Sequence, residues 1–364
     1  MPLNTTSELL SDLKKGKMVV LMDDEDRENE GDLILPAGNV SPEAINFMAM
    51  HGRGLICLAL TEDHCDRLKL DQMVKTNKSK HETAFTVSIE AASGITTGIS
   101  AKDRSKTIEV ASNPQAHSSD IVQPGHIFPL KAENGGVLNR SGHTEASIDL
   151  ARLSGFHPAA VICEIMNEDG SMSRRPDLEK FCEKHDLKIG TIADLINYRL
   201  TNEKSIELIS ESSIKNKYGE FSFFVYKDSL LNEVHYALKM GEIKSSEPTL
   251  VRVQQINIKH DIFKSNDFGE RWSLEDAMKK ISASENGLIV LISSDLTKPD
   301  DDIEEKNDSS DSDKRRIGVG SQILKEFGVS KIRLLGAEAK YPSLSGFDLE
   351  AVSYTHLTLP TRIF

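Results

Sequence analysis

An acidic segment between two apolar runs is the feature that most constrains how this chain folds. Residues 23–32, DDEDRENEGD, hold seven carboxylates in ten positions, with MVVLM before them and LILPA after them. Short apolar runs of this kind predict buried β-strands. Carboxylates crowded between two strands repel one another unless a cation or a basic partner neutralises them. The segment therefore predicts either a Mg²⁺ or Mn²⁺ site with hard oxygen ligands or a solvated acidic loop.

The remaining pattern mixes helices and strands without a regular β-α-β alternation, which favours an α+β fold over a doubly wound sheet. The polar stretch 201–219 predicts a linker or the first strand of a new unit. Helices are predicted at 6–16, with Ser7 as the cap, from Ser41 onward, and at 101–111, 143–155, 193–200 and 272–282. Strands are predicted at 18–22, 33–37, 54–60, 85–91, 125–130, 159–166, 221–228, 250–258 and 287–294.

Length, charge and cysteine usage exclude several classes of protein. A chain of 364 residues predicts two domains or one large one. The net charge of -13 argues against nucleic acid as the main partner. Apolar runs stay shorter than the roughly 18 residues that span a bilayer, and the first residues lack signal-peptide features. The four cysteines form no CxxC pair, which indicates free thiols in a reducing cytoplasm.

The segment RSGHTEA has the composition of an anion-binding turn at the start of a helix. Backbone N–H groups at a helix N-terminus bind anions, and a basic side chain and hydroxyls strengthen the binding. The histidine would bind a metal while the turn holds a phosphate. The alternative is an ordinary helix N-cap with an incidental histidine, and a zinc deaminase is disfavoured because no PCxxC follows. The residues concerned are Arg140, Ser141, Gly142, His143 and Thr144.

Two further residues have the chemistry of proton carriers. His126, in PGHIFPL, would act as a general acid or base near neutral pH, or would be a structural histidine beside an apolar strand. Glu164 ends the apolar run AAVIC, where desolvation raises the pKa of a carboxyl group. The alternative for Glu164 is a strand-end residue that returns to solvent.

Five segments of the first half, spanning about residues 5–200, resemble 3,4-dihydroxy-2-butanone 4-phosphate synthase. They occur in the order that this family has, and the acidic segment together with RSGHTEA is highly specific. The family converts D-ribulose 5-phosphate into formate and a four-carbon ketone phosphate for riboflavin biosynthesis. The segments are VLMDDEDRENEGDLILPA, HGRGLICLALT, HETAFTVSIEAASGITTGISAKDR, PGHIFPLKAENGGVLNRSGHTEASIDLARLSG and VICEIMNEDGSM.

The resemblance implies a cytoplasmic, homodimeric lyase whose site lies near the dimer interface and binds two Mg²⁺ or Mn²⁺ ions. It implies metal ligation by Glu28 and His143, and catalytic positions at His126 and Glu164. Glu30 and Asp32 remain candidates beside Glu164 for the acid that takes the first proton. The implied substrate contacts are Arg27, Glu28, Asp32, Arg140, Ser141, Gly142, His143, Thr144 and Glu164.

The second half resembles GTP cyclohydrolase II in a degenerate form. VRVQQINIKHDIFKSNDFGERWSLEDAM aligns with the zinc region of that family, where three cysteines hold the metal, but no cysteine follows Cys182. A catalytic Zn²⁺ needs three protein ligands. The family's Arg-Gln-Glu-Gly-Arg-Gly stretch is also absent, whereas ILKEFGVSKIRLLG matches its late helix and strand. We therefore expect the fold to be kept, no zinc to bind, and GTP hydrolysis to be lost.

These resemblances predict a synthase domain at 1–202 and a GTP cyclohydrolase II-like domain, expected to be inactive, at 203–352. The stretch 295–316 is acidic and almost free of apolar residues, which predicts a mobile loop. Residues 353–364 do not resemble the family's terminus, and a frameshift or an artefact would explain them. Two alternatives stay open, a bifunctional enzyme that opens GTP with other ligands and a regulatory or scaffolding protein of the pathway.

Overall fold

The computed structural model divides into two compact units, Met1–Tyr198 and Arg199–Phe364. It describes residues 3–25, 27–81, 83–229, 233–265, 272–293, 311–336 and 349–355. Within these residues each unit contains one seven-stranded sheet with parallel and antiparallel neighbours. The predicted α+β class is confirmed, whereas the domain boundary between 202 and 203 stays a prediction.

The first unit alternates helices and strands irregularly along the chain. Its helices are α1 (Thr6–Lys14), α2 (Pro42–Phe47), α3 (Glu62–Leu68), α4 (Ala101–Ala111), α5 (His143–Leu153), α6 (Arg175–His185) and α7 (Ile192–Asn202), the last of which extends past the boundary between the units. Its strands are β1 (Val19–Met22), β2 (Gly31–Pro36), β3 (Cys57–Leu60), β4 (Ile89–Ala91), β5 (Ile121–Lys131), β6 (Ala159–Glu164) and β7 (Lys188–Thr191).

Strand order in the first sheet brings the acidic segment next to a second carboxylate. The order is β4-β5-β3-β6-β2-β1-β7. β1 and β2 are antiparallel with Met22 opposite Gly31, so residues 23–30 form the connection of a hairpin. β2 is also antiparallel to β6, and Asp32 lies opposite Glu164. The acidic segment is therefore held at both ends by the centre of the sheet.

Burial explains why the apolar runs form strands and why the sheet is stable. All residues of β1, β2 and β3 are buried, as expected for strands covered on both faces. Val20, Leu33, Leu58 and Val161 belong to one apolar core. α1 begins at a capping box in which Thr5, and not the predicted Ser7, is the cap. No helix in the described part of the chain has the length and hydropathy of a membrane span.

The second unit is built on a sheet with the order β14-β13-β11-β12-β10-β9-β8. Phe221, Trp272, Ile281 and Ile289 are buried in its core. Its strands are β8 (Ile206–Asn216), β9 (Gly219–Asp228), β10 (Glu233–Met240), β11 (Thr249–Gln255), β12 (Gly287–Ile292), β13 (Lys331–Leu335) and β14 (Glu350–Thr355), and its helices are α8 (Leu274–Ser284) and α9 (Asp311–Glu326).

Two expectations for the second unit were partly wrong. The predicted mobile loop 295–316 lies outside the described residues up to 310, but residues 311–316 form the start of α9. The tail 353–364, which does not resemble the family's terminus, begins inside the sheet, because Ser353 and Tyr354 belong to β14 and pair with β13. Residues 356–364 lie outside the described residues.

Candidate active site

A cavity of about 420 Å³ opens in the first unit where the acidic segment, β6 and the start of α5 meet. Its lining combines acidic and basic side chains, and parts of β3 and of the segment 80–85 complete the wall. Asp23, Glu28, Glu30 and Asp32 are partly or wholly buried, although Asp24 and Glu25 are exposed, which disfavours a free acidic loop at the cavity. The titratable residues of the lining are Arg27, Glu28, Glu30, Asp32, Cys57, Lys80, His81, Arg140, His143 and Glu164.

Asp23, which sequence reasoning did not single out, organises the acidic segment from within. Its side chain is buried at the end of β1. Its Oδ1 accepts a hydrogen bond from the Glu30 backbone N–H at 2.9 Å, and its Oδ2 accepts one from the Glu28 N–H at 3.2 Å. The Arg27 guanidinium also donates to Oδ2 at 2.8 Å. The Asp23 carboxylate therefore closes the turn and forms an ion pair with Arg27.

Asp23, Glu28 and His143 form a group that could hold a metal ion, with one ligand atom from each lying within 4.8 Å of the others. The His143 Nε2–H donates to the Leu21 carbonyl oxygen at 3.2 Å. Its Nδ1 therefore presents a lone pair to Glu28 Oε2 at 3.9 Å and Asp32 Oδ1 at 4.0 Å. Burial lowers the pKa of His143, which keeps the imidazole neutral. A neutral ring facing carboxylates suits a divalent cation.

Asp32 and Glu164 bring two carboxyl groups together on neighbouring strands. Asp32 is only 3% exposed, and burial, followed by the charge of Glu164, raises its pKa well above the ordinary value. Burial and the charge of Glu28 also raise the pKa of Glu30. Carboxyl groups with raised pKa values can both hold and release a proton near neutral pH. This side of the cavity therefore has the electrostatics of an acid–base centre.

A tight turn fixes the position of Glu164. The Leu55 backbone N–H donates to Glu164 Oε2 at 2.9 Å, and the Gly54 N–H donates to the Glu164 carbonyl oxygen at 3.1 Å. Arg53, before the turn, has a left-handed φ of 71°. A Cβ at Gly54 would lie 2.4 Å from that carbonyl oxygen, so a side chain is excluded there. The position of the Glu164 carboxylate thus depends on the close approach of the backbone at Gly54 and Leu55 to the end of β6.

The opposite side of the cavity carries cations and the start of α5. Gly142 is the N-cap of α5 and no side chain caps the helix, which leaves the first N–H groups to bind an anion. Arg140 is held in place by Glu145 at 2.6 Å and by the His81 carbonyl oxygen at 2.9 Å. Burial raises the pKa of Glu145, and Arg140 opposes that shift. Thr144 and Arg140 line the cavity, whereas the predicted anion cradle stays a prediction.

Comparison with known proteins agrees with this arrangement. Residues 7–198 match the family model described as 3,4-dihydroxy-2-butanone 4-phosphate synthase, and residues 207–356 match the one described as GTP cyclohydrolase II. A relative from Pseudomonas aeruginosa, named 3,4-dihydroxy-2-butanone 4-phosphate synthase, is 49% identical over 363 residues, covering 97% of this chain and 99% of its own. The chain belongs to the 3,4-dihydroxy-2-butanone 4-phosphate synthase family.

Other members of the synthase family support the same assignment. A protein of Aquifex aeolicus named riboflavin biosynthesis protein RibBA is 47% identical, covering 96% of this chain and 91% of its own. The crystal structure of RibBX from A. baumannii, described as a two-domain synthase, has a TM-score of 0.81 and 44% identity, covering 98% of this chain and all of its own. A synthase structure with two magnesium ions has a TM-score of 0.53 and 40% identity, covering 55% of this chain and 99% of its own. The chain is an enzyme of riboflavin biosynthesis, a synthase of the lyase class.

The structure brings most of the predicted synthase residues into the cavity but not all of them. His126 does not line it within one chain; its Nδ1 pairs with Glu90 of β4, and its side chain is 45% exposed. Ser141 and Gly142, which follow Arg140 in the chain, do not line it either. The residues that do line it are Arg27, Glu28, Asp32, Arg140, His143, Thr144 and Glu164.

Four residues that sequence reasoning did not single out take part in the site. Asp23 closes the acidic turn, and Lys80 and His81 add basic groups to the cavity wall. Cys57 of β3 also lines the cavity, and burial and the charge of Glu164 raise the pKa of its thiol well above the ordinary value. The segment HETAF marked the region of Lys80 and His81, but no local pattern marked the side chains.

Proposed function

We propose that the first unit converts D-ribulose 5-phosphate into L-3,4-dihydroxy-2-butanone 4-phosphate and formate with the help of Mg²⁺ or Mn²⁺. The observation that carries the proposal is the Nδ1 of His143 facing the carboxylates of Glu28 and Asp32 inside one cavity. A four-carbon product and formate account for all five carbons of the substrate. The related synthase structure contains two magnesium ions, which favours this chemistry. We propose that this chain also binds two divalent ions.

Glu28 and His143 are the proposed metal ligands, with Asp23 as a further oxygen donor. Asp23 Oδ1 accepts a hydrogen bond from one group and Oδ2 from two, so Oδ1 keeps the greater capacity for a cation. A divalent cation bound there would supply several kcal/mol of stabilisation to negative charge on neighbouring substrate oxygens. Hard oxygen donors match the preference of Mg²⁺ and Mn²⁺.

Proton transfers fall to the carboxyl groups on the same side of the cavity. Glu164 has one oxygen held by the Leu55 N–H, which orients the carboxylate toward the cavity. Asp32 lies opposite it on the adjacent strand and has a strongly raised pKa. We propose Glu164 as a catalytic residue, and Asp32 and Glu30 as alternatives for the first proton, because all three line the space where the substrate would bind.

The substrate phosphate is proposed to bind at the start of α5. Arg140, the Thr144 hydroxyl and the free N–H groups after Gly142 supply charge and hydrogen bonds there. Ser141 adjoins them in the chain, and Arg27 and Asp32 contact the other end of the substrate in this proposal. Fixing the phosphate holds the reacting carbons still beside the carboxylates, which lowers the entropic part of the barrier.

We propose a homodimer in which His126 has its role across the interface. Because His126 lies outside the cavity of its own chain, we propose that it acts in the cavity of a second chain. Mixing and refolding inactive His126→Ala with inactive Glu28→Gln would then restore part of the formate release, since a mixed dimer contains one complete site. Without any recovery in verified mixed dimers, His126 has no role across the interface.

The second unit is proposed to lack GTP hydrolysis and zinc. Support comes from the absence of cysteine after Cys182. Within the described residues, the group of possible metal ligands that we find lies in the first unit. We also propose a cytoplasmic enzyme that needs neither nucleic acid nor a membrane. The other candidates are a bifunctional enzyme with different zinc ligands and a regulatory protein.

A pair of formate assays separates these candidates. Formate release is measured from ribulose 5-phosphate and, separately, from GTP, each with Mg²⁺, with EDTA and with a zinc chelator. We expect Mg²⁺-dependent formate from the pentose phosphate and none from GTP. GTP turnover would establish the bifunctional enzyme, and absence of formate from the pentose phosphate would favour the regulatory protein.

A further inference from the structure

Arg174 contacts the acidic segment from outside the cavity. It is the N-cap residue of α6, and it follows the loop that begins at Glu164. Its Nη1 donates to the Glu28 carbonyl oxygen at 2.7 Å and also to the Asn29 carbonyl oxygen, and it lies 3.8 Å from Glu30 Oε1. One guanidinium therefore joins two successive peptide oxygens and one carboxylate of the segment.

The two carbonyl groups belong to the part of the segment where the backbone turns. Asn29 has a φ of 55°, in the left-handed region that L-residues other than glycine and asparagine rarely adopt. This residue separates Glu28, which faces His143, from Glu30, which lines the cavity. A turn in this region needs partners for its carbonyl groups, and Arg174 is the described cation that supplies them.

Arg174 is itself held firmly relative to the sheet. Its backbone N–H donates to Asp177 Oδ2 at 3.2 Å, and its carbonyl oxygen accepts from the Leu178 N–H at 2.9 Å. The Leu178 side chain packs against Gly31, where an added Cβ would lie 2.5 Å from Leu178 Cδ1. α6 is thereby fixed against the first residue of β2, and the guanidinium reaches the acidic segment from a fixed base.

We propose that Arg174 is a positioning residue that sets the affinity of the cation site by holding the peptide between Glu28 and Asn29. The proposal rests on the proposed metal site at Glu28 and His143. A carboxylate that must first be ordered binds a cation more weakly, because ordering costs conformational entropy. Partners that orient metal ligands typically contribute 10-fold to 100-fold to metal affinity.

Mn²⁺ binding to the full-length protein, measured by electron paramagnetic resonance, tests the proposal without relying on activity. We expect Arg174→Gln to raise the Kd for Mn²⁺ by about 10-fold to 100-fold. Arg174→Lys should fall between it and the wild type, because an ammonium keeps the charge and the donors but lies on a more flexible stem. Arg175→Gln is the matched control, because Arg175 is adjacent, pairs with Glu179 at 3.2 Å, and should leave the Kd unchanged.

Further readouts separate a positioning role from general damage. The thermal unfolding temperature of metal-free Arg174→Gln shows whether the variant folds, and formate release as a function of Mn²⁺ shows whether saturation restores turnover. We expect a folded variant whose formate release recovers at high Mn²⁺. An unchanged Kd in Arg174→Gln overturns the role of Arg174. A wild type that binds no Mn²⁺ overturns the proposed metal site instead.

Discussion

Each unit has a seven-stranded sheet, and the two sheets differ in where they carry buried charged residues. In the first sheet, Asp32 and Glu164 lie opposite each other on central strands and face a cavity. In the second sheet, the central pair of β11 and β12 places Val251 beside Leu288 and Val253 beside Val290. That apolar pair stabilises the fold, and the buried Asp228 and His235 of this sheet lie on β9 and β10 instead.

The difference teaches that sheet architecture and chemistry are separate properties of the two units. The first unit accepts crowded, partly buried carboxylates, whose mutual repulsion opposes folding unless a cation or proton neutralises them. In the second unit, Glu275 bonds instead to Lys217 at 2.7 Å and Lys264 at 2.8 Å, on the surface of the unit. Three predictions test this contrast.

The largest expected effect is on turnover. Glu28→Gln removes a proposed metal ligand and should reduce formate release from ribulose 5-phosphate by at least about 1,000-fold, which corresponds to about 4 kcal/mol of transition-state stabilisation. The matched control is Glu275→Gln in the second unit, which should retain wild-type formate release. If both variants kept their activity, the carboxylates of the first unit would have no special chemical role.

The next effect is on stability. Because burial and Glu164 raise the pKa of Asp32, the folded protein holds that proton more tightly than the unfolded chain. The free energy of unfolding therefore falls as pH rises above about 4, the ordinary value for Asp, through the raised pKa. Asp32→Asn should stabilise the metal-free protein at pH 8 by at least about 1 kcal/mol, measured by urea denaturation in EDTA, and should lose formate release.

Asp228 of β9 is the buried carboxylate of the second sheet that serves as the control. It lies near His235 and attracts the protonated form of that ring. Because its described electrostatic neighbour is an imidazole and not a second carboxylate, Asp228→Asn should give no gain in stability in the same denaturation experiment. A loss of stability in Asp32→Asn would show that the first sheet does not store electrostatic strain at its site.

The smallest effect concerns two buried histidines, one in each unit. Burial lowers the pKa of both His64 and His235. Below about pH 6.5 the unfolded chain therefore binds more protons than the folded protein, and stability falls as pH falls. Each ring contributes a slope of at most about 1.4 kcal/mol per pH unit. Thermal unfolding between pH 7.5 and 5.5 should show a weaker pH dependence in His64→Gln and His235→Gln; an unaltered dependence contradicts the expectation.

Apolar periodicity predicted the helices and strands that bury a clear apolar face, and it missed elements composed mainly of polar residues. α4 was predicted at its observed bounds, whereas α6, RPDLEKFCEKH, was missed because only Leu178 and Cys182 are buried along it. The alternation over 85–91 predicted a longer strand than β4. Phe85 and Thr86 make only isolated bridges there, since a strand also needs an aligned partner.

The site was predictable where its chemistry lies in one stretch of sequence and not where the fold assembles it. Glu28 and Asp32 stood out through crowding of like charge, and Glu164 through its place at the end of an apolar run. Arg174 and Lys80 come from segments with no such signal, and only the packing of α6 and the wall of the cavity brings them near. Asp23 was inside the acidic segment, but no local rule separated it from its neighbours.

The thiol of Cys57 has a consequence for handling the enzyme. It borders the cavity, yet it is only 3% exposed and its raised pKa keeps it protonated. Alkylating reagents and peroxide attack the thiolate form. The three other cysteines are also buried and free, and burial raises the pKa of Cys65 to about 12 and of Cys182 to about 12. Purification in air without a reductant should therefore leave the catalyst chemically intact.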